Sequence, residues 1–413
     1  MVMKGRKTMD KTLERFLKYI SFPTNSNPNS HTHPSSISQW ALLKYLKQEL
    51  EDLGLSDVYL SDEGFLYAHL KKNCEGMKTI GFCSHVDTSC DLTDENMHPK
   101  IIHNYDGLDI ILNKEKNIVM KVSEYPFLSD FIGRTLITTD GTTLLGADDK
   151  AGISEIIGAI EYFTIHKDIP HGDIYVMFTP DEEIGEGTMF VNKDLFPCDY
   201  AYTVDGGLEG EINYENFNAA SANVKALGIN IHPGSAKDHM RNSLHIAMEF
   251  HSMLDPLLVP AKTEGYVGFN HLNNMSGNVE ETNMHYIIRN HDMKKFTEQK
   301  QTFIDIKNKL NEKYQDEVIK LEITDSYYNM YNIVKDHMEV VEKLIKATKD
   351  ASITPNIRPI RGGTDGAMLT YKGIITPNIG TAGFNFHGRY EGITLEGMHK
   401  VEEILINLIK DAK

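Results

Sequence analysis

Four short stretches concentrate side chains able to hold a metal ion or move a proton: Ser84-His85-Val86-Asp87-Thr88, Leu145-Gly-Ala-Asp148-Asp149-Lys150, Phe178-Thr-Pro-Asp181-Glu182-Glu183 and Val204-Asp205-Gly206-Gly207. In the first, an Asp two residues after a His can bond the second imidazole nitrogen and fix the tautomer of a metal ligand. In the second, two acids open an apolar helical pattern, where the helix dipole favours them and a capping role explains one fully and two tolerably. Adjacent carboxylates in the third repel each other, and a nearby cation relieves them. The fourth is an acid that ends an apolar run before a glycine turn. Each stretch alone has an ordinary explanation: a surface His beside an Asp, a helix cap, a solvated turn. Together they place His and carboxylate donors after apolar, strand-like runs, where open α/β sheets bind ligands. Such donors, without cysteine, suit zinc, cobalt or manganese used for hydrolysis. A second ion needs one further His, and His387 in Asn385-Phe-His387-Gly-Arg389 is the candidate.

The elements that must position these residues follow from the apolar period. Leu13, Phe16, Leu17 and Ile20, then Leu42, Leu43, Leu46, Leu50 and Leu53, predict helices over 10–20 and 38–53, separated by a Pro/Ser/Asn-rich stretch. Short apolar runs bounded by turn residues predict strands over 58–60, 65–70, 79–83, 174–178 and 200–204. Ala151, Ile153, Ile156, Ile157, Ile160 and Phe163 predict a helix directly after the paired aspartates. Alternation of strands and helices means an α/β sheet. Between 217 and 328 the order changes to strand (220–231), helix (235–254), strand (266–270), strand (284–289), helix (293–314) and strand (318–324). That βαββαβ order suits a ferredoxin-like domain inserted into a larger one made of 1–216 and 329–413, whose tail carries helices over 333–349 and 395–410.

Composition sets the outer bounds. A chain of 413 residues at 40% hydrophobic is long enough for two cores. With Asp+Glu 59 against Lys+Arg 42, the net charge of −17 repels phosphate backbones and anionic lipid, so small molecules or peptides are the expected partners, and neither nucleic acid nor membrane is. Four cysteines without a CxxC pair point to a reducing compartment. The basic start passes straight into a charged helical pattern, with no signal-like apolar segment, so the cytoplasm is expected, and Met9 is a plausible alternative start.

The set His85-Val-Asp87-Thr, Gly146-Ala-Asp148-Asp-Lys150, Glu182-Glu183, Val-Asp205-Gly-Gly, Ile231-His232-Pro-Gly, Arg361-Gly-Gly-Thr-Asp365-Gly and Phe386-His387-Gly resembles the M20 metallopeptidases, and among them the aminopeptidases that cleave tripeptides. The likeness runs from about residue 9 to the end and includes Glu215-Asn-Phe-Asn-Ala-Ala220 and Asp325-Ser-Tyr-Tyr-Asn329. Two departures stand out. Residues 26–36 are unusually rich in Asn, Ser, His and Pro, and Cys90 stands where the family has proline.

The resemblance implies a mixed-sheet zinc-peptidase domain with a lid and dimerisation insert, and two divalent ions per chain, zinc with cobalt or manganese as alternatives. It implies that Asp148 bridges the ions, that His85 and Asp205 complete one and Glu183 and His387 the other, that Glu182 is the general base and that Asp87 orients His85. Asp148 is chosen over Asp149 because the family ligand lies two residues before the lysine. The implied activity is hydrolysis of the N-terminal peptide bond of a tripeptide by a homodimer in which His232 acts at the site of the other subunit. Arg289 and Arg361 suit bidentate capture of a substrate carboxylate, although each also reads as a solvated strand residue or a turn stabiliser. Dipeptidase, carboxypeptidase or N-acyl amino-acid deacylase activity uses the same site chemistry, and a catalytically silent peptide or metal binder is the reading from another class. Asp rather than Glu at 205 is similar to the aminopeptidase members.

Overall fold

The computed structural model describes residues 10–413, so the alternative start at Met9 lies outside the described residues. Two compact units form. One comprises the chain up to Tyr214, Ile333–Arg358 and Thr364–Lys413; the other comprises Glu215–Asn332 with Pro359–Gly363. The short segment Pro359–Gly363 thus groups with the second unit, away from its chain neighbours.

The first unit is built on an eight-stranded mixed sheet in the order Ser56–Leu60, Leu66–Leu70, Ile174–Thr179, Ile80–His85, Tyr200–Gly206, Asn378–Gly380, Glu211–Asn213, Asn356–Ile357. Its centre is parallel: Ile80–His85 pairs in parallel with both Ile174–Thr179 and Tyr200–Gly206, which pairs in parallel with Asn378–Gly380. Every residue of Ile80–His85 is buried, which is why this segment reads as a continuous apolar run rather than an alternating one. Helix Ala147–Ile165 packs on Ile80–His85 and Tyr200–Gly206, and against helices Lys11–Ile20 and Leu395–Lys410. It buries Ile153, Ile156, Ile157, Ile160 and Phe163.

A smaller sheet runs Gly383–Phe384, Gly392–Thr394, Leu136–Thr138, Lys100–Ile102. The hairpin between its first two strands carries His387.

The second unit holds a four-stranded antiparallel sheet in the order Phe269–Gly277, Glu281–Asn290, Asn218–Leu227, Ile319–Tyr327. Helices Ser243–Ser252 and Met293–Tyr314 cover one face, and Phe250, Tyr286, Phe296 and Phe303 fill the space between. Ala220, Ala222, Val224 and Ala226 alternate inward from Asn218–Leu227, one of the two inner strands of this sheet, and are small enough for the helices to approach. This is the βαββαβ order read from the sequence.

Three local expectations change. The helix expected over 235–254 is only Ser243–Ser252, because residues 228–242 form a loop pinned by the bridge Ile229–Arg241 and a 3₁₀ turn at Pro233–Ser235. The tail helix over 333–349 splits into Tyr331–Val334 and Met338–Asp350. Asp148 does not follow a strand of the main sheet: the preceding strand, Leu136–Thr138, belongs to the small sheet, and Asp148 arrives at the opening turn of helix Ala147–Ile165.

Candidate metal centre

Parallel pairing brings three of the four stretches to one edge. Strand Ile80–His85 ends on His85, Ile174–Thr179 leads through Asp181 to Glu182 and Glu183, and Tyr200–Gly206 carries Asp205 in its last turn of strand. These are the carboxyl ends of neighbouring parallel strands, where backbone groups leave the sheet and side chains converge. Helix Ala147–Ile165 delivers Asp148 from above, its φ/ψ departing from helical values at Asp148 and Asp149. The hairpin of the small sheet brings His387, which takes a left-handed φ of 60°.

Asp148 faces both histidines. Its Oδ1 lies 3.0 Å from His85 Nε2 and its Oδ2 3.3 Å from His387 Nε2. His85 Nε2 is also 3.5 Å from Asp205 Oδ1, and His387 Nε2 is 3.1 Å from Glu183 Oε2. Two donor sets therefore share one carboxylate: His85, Asp205 and Asp148, and Asp148, Glu183 and His387. Asp149 also offers an oxygen within reach of His85 and Asp205. Its Oδ2, however, accepts from the Ser84 hydroxyl and from the His85 backbone N–H, so it braces the strand end.

The second nitrogen of each imidazole is held. His85 Nδ1 lies 3.0 Å from the Asp87 carbonyl oxygen and 3.3 Å from Asp87 Oδ1. His387 Nδ1 lies 3.3 Å from Asp91 Oδ2, a partner that sequence reading missed. Asp87, fully buried, does more than meet His85: its carboxylate accepts the backbone N–H of Glu182 at 3.0 Å and of Glu183 at 3.2 Å. The same carboxylate thus fixes a histidine and the two acids opposite it.

The acids of this pocket outnumber its cationic partners. Burial drives Glu182 well above the carboxylate range, with Asp205 adding to it. Burial pushes Glu183 up to about 7 and Asp205 up to about 6, against the pull of the neighbouring imidazoles. Burial acts the same way on Asp148, but hydrogen bonds from His387 and His85 outweigh it and hold this carboxylate below its usual range. Glu183 Oε1 is buried with no hydrogen-bond partner. Crowded carboxylates, imidazoles turned toward them and an orphaned carboxylate oxygen are the donor chemistry of metal ions, and the shared Asp148 fits two of them.

Against known proteins, this chain is 51% identical to a peptidase T of Caldanaerobacter subterraneus over 97% of its own length and 98% of that protein. The chain belongs to the peptidase T family of M20 peptidases. A peptidase T of Clostridium novyi is 48% identical, over 97% of this chain and 99% of that one. The model of a peptidase dimerisation domain matches residues 214–318, and so falls on the second unit. The fold is that of the aminopeptidase PepT of Bacillus cereus, with a TM-score of 0.77 and 22% identity over 97% of this chain and 98% of that one.

In this member of the peptidase T family, the remaining expected site residues all lie in the second unit. His232 is exposed at the start of the turn Pro233–Ser235, and its Nδ1 accepts from Gly234 N at 3.1 Å, which leaves the proton of a neutral ring on Nε2. Arg361 directs both terminal nitrogens at loop 263–267, bonding the carbonyls of Thr263, Gly265 and Val267 and the Thr263 hydroxyl, and stacks over Phe217 and Phe269. Arg289 gives Nη1 to the carbonyls of Ala220 and Ile288 and stacks over Tyr327.

Two further residues matter to the first unit and carried no role in the sequence reading. Asp181, buried at a left-handed φ of 62°, accepts from Ser35 N, Ser35 Oγ and Gln39 Nε2, and His33 Nδ1 lies 3.3 Å from it. The Asn/Ser/His/Pro-rich stretch is thereby latched to the residue just before Glu182. Asp365 accepts from Thr179 Oγ1 at 2.9 Å, and burial pushes it up to about 7. Among the described residues, no helix is long and apolar enough to cross a membrane.

Proposed function

We propose that this protein is a metal-dependent aminopeptidase that removes the N-terminal residue from tripeptides. The near-full-length likeness to peptidase T carries this reading, and the presence of every donor around Asp148 supports it.

His85, Asp205 and Asp148 would hold one ion, and Asp148, Glu183 and His387 the other, with zinc the first choice and cobalt or manganese the alternatives. When bound, the two ions would polarise the scissile carbonyl and lower the pKa of water at the site. Glu182 would take a proton at its carboxylate from the water whose oxygen bonds the scissile carbonyl carbon, and would pass it to the amine nitrogen as the C–N bond breaks. Asp87 keeps Glu182 at a fixed place by accepting its backbone N–H, and it keeps the His85 ring turned toward Asp148. His232, with its proton on Nε2, donates toward the developing oxyanion at the site of the second subunit of a homodimer. Arg289 or Arg361 anchors the C-terminal carboxylate of the substrate, with Arg289 favoured because fewer of its bonds go to backbone carbonyls.

Product analysis on a tripeptide with three different residues tests activity, cleavage end and length preference at once. Release of the N-terminal residue and an intact dipeptide is expected; release of the C-terminal residue, or preference for dipeptides or acylated amino acids, overturns the reading.

A further inference from the structure

Glu391 lies four residues beyond His387, with its side chain turned inward and only 1% exposed. Its backbone N–H closes a turn on the Gly388 carbonyl at 3.1 Å. Its carboxylate accepts four successive backbone N–H groups from a distant part of the chain: Oε2 takes Leu145 at 2.7 Å and Gly146 at 3.0 Å, and Oε1 takes Ala147 at 2.7 Å and Asp148 at 3.2 Å. Gly146, at a φ of 78°, curls the chain so that these amides point at one place.

The first N–H groups of a helix have no partners inside it. Helix Ala147–Ile165 has no local side-chain cap at Gly146, and Glu391 supplies the missing acceptor from the His387 hairpin. The consequence reaches the metal ligands. Asp148 and His387 sit on separate segments and meet only at the 3.3 Å approach of Oδ2 to Nε2. Glu391 ties those same two segments together through the main chain, next to that approach.

We propose that Glu391 is a positioning residue that sets the spacing between the bridging Asp148 and His387, and so controls the affinity for the ion held by Asp148, Glu183 and His387. The inference rests on the two-ion reading above. It demands a carboxylate of this length. Gln has one acceptor oxygen and turns an NH₂ toward two backbone donors; Asp is one methylene short of reaching all four.

The test is titration of metal-free protein with Co²⁺, followed by absorption and by bound-metal analysis, for wild type, E391Q and E391D. Wild type should bind two ions. E391Q should bind one with little change and the other about 10- to 100-fold more weakly, as loss of a residue supporting a ligand does elsewhere. Activity lost at limiting Co²⁺ should return as Co²⁺ is raised, with KM for a tripeptide little changed, and E391D should fall between. A wild type that binds fewer than two ions overturns the underlying reading instead. Two ions bound equally well by wild type and by the folded variants, with only a lower Tm, make Glu391 a helix cap and overturn the inference. Should E391Q fail to fold, E391D decides by the same criteria. Hydrogen exchange in the wild type needs no variant: the amides of Leu145–Asp148 should be protected with and without metal, and fast exchange in the metal-free protein overturns a preformed clamp.

Discussion

Asp148 presents one carboxylate oxygen to each of two histidines, Oδ1 at 3.0 Å from His85 Nε2 and Oδ2 at 3.3 Å from His387 Nε2. A carboxylate in that position can serve two ions. Asp148→Ala should therefore remove at least one bound ion and lower kcat by more than about a thousandfold, since the loss touches both ions. Metal analysis of the purified variant against wild type checks this, and two ions retained would contradict it.

Glu182 and Glu183 are adjacent but should behave differently. Glu182→Ala should keep both ions and lose about 100- to 10,000-fold in kcat, the range for a lost proton shuttle. Glu183→Ala should lose an ion, because Glu183 Oε2 lies 3.1 Å from His387 Nε2. If Glu182→Ala loses metal while Glu183→Ala retains it, the two roles are exchanged.

On the proposed reading, selecting tripeptides by length requires an anchor at a fixed distance from the ion-binding residues. Losing a charge-assisted bidentate contact should cost about 2–4 kcal/mol, or roughly 30- to 1000-fold in kcat/KM. Arg289→Ala should show that loss on free tripeptides and little further loss on tripeptide amides. Arg361→Ala should instead lower the Tm, because its guanidinium holds loop 263–267. Amides cleaved as fast as free tripeptides by the wild type would remove the carboxylate anchor.

If His232 acts across a dimer, mixing His232→Ala chains with Glu182→Ala chains leaves one whole site in each mixed dimer. Part of the activity should return in verified mixed dimers. No recovery there excludes action in trans.

Glu402, on helix Leu395–Lys410, accepts from the Thr12 hydroxyl and is largely buried. Burial raises it from 4.5 to about 7, with the Thr12 hydroxyl pulling the other way. A folded pKa above the unfolded one means that the fold binds the extra proton: this contribution is complete below about pH 4.5 and is lost as pH rises through about 7. Glu402→Gln should abolish that decline and leave the protein more stable at pH 8 by about 1–3 kcal/mol. Urea unfolding midpoints between pH 4 and 8 measure it, and a variant less stable than wild type at pH 8 would contradict the assignment.

The donors themselves were legible because chemistry and spacing coincide in short segments. His85 with Asp87, Glu182 with Glu183, and Asp205 each sit at the end of an apolar run, and such a run reads as a buried parallel strand. Helix Ala147–Ile165 and the strands of the second unit were legible from their periods. The helix expected over 235–254 is too long because residues 235–242 have a composition that a helix tolerates, while the bridge Ile229–Arg241 that excludes it leaves no mark on helical periodicity.

The sequence by itself determined which side chains able to bind metal and move protons are present, which faces of each element are apolar, and, by near-full-length likeness, the family. Only the tertiary structure decided that Asp87 holds the backbone of the acids across from it, that Asp181 is the anchor of the Ser35 loop, and that Glu391 caps a helix from the far end of the chain. Periodicity specifies which way a residue points, because it depends on neighbours a few positions away. It carries no information on which distant segment lies opposite, and that is set by strand order, parallel pairing and the hairpin of the small sheet, where pairing of distant segments brings His387 and Glu391 against the start of helix Ala147–Ile165.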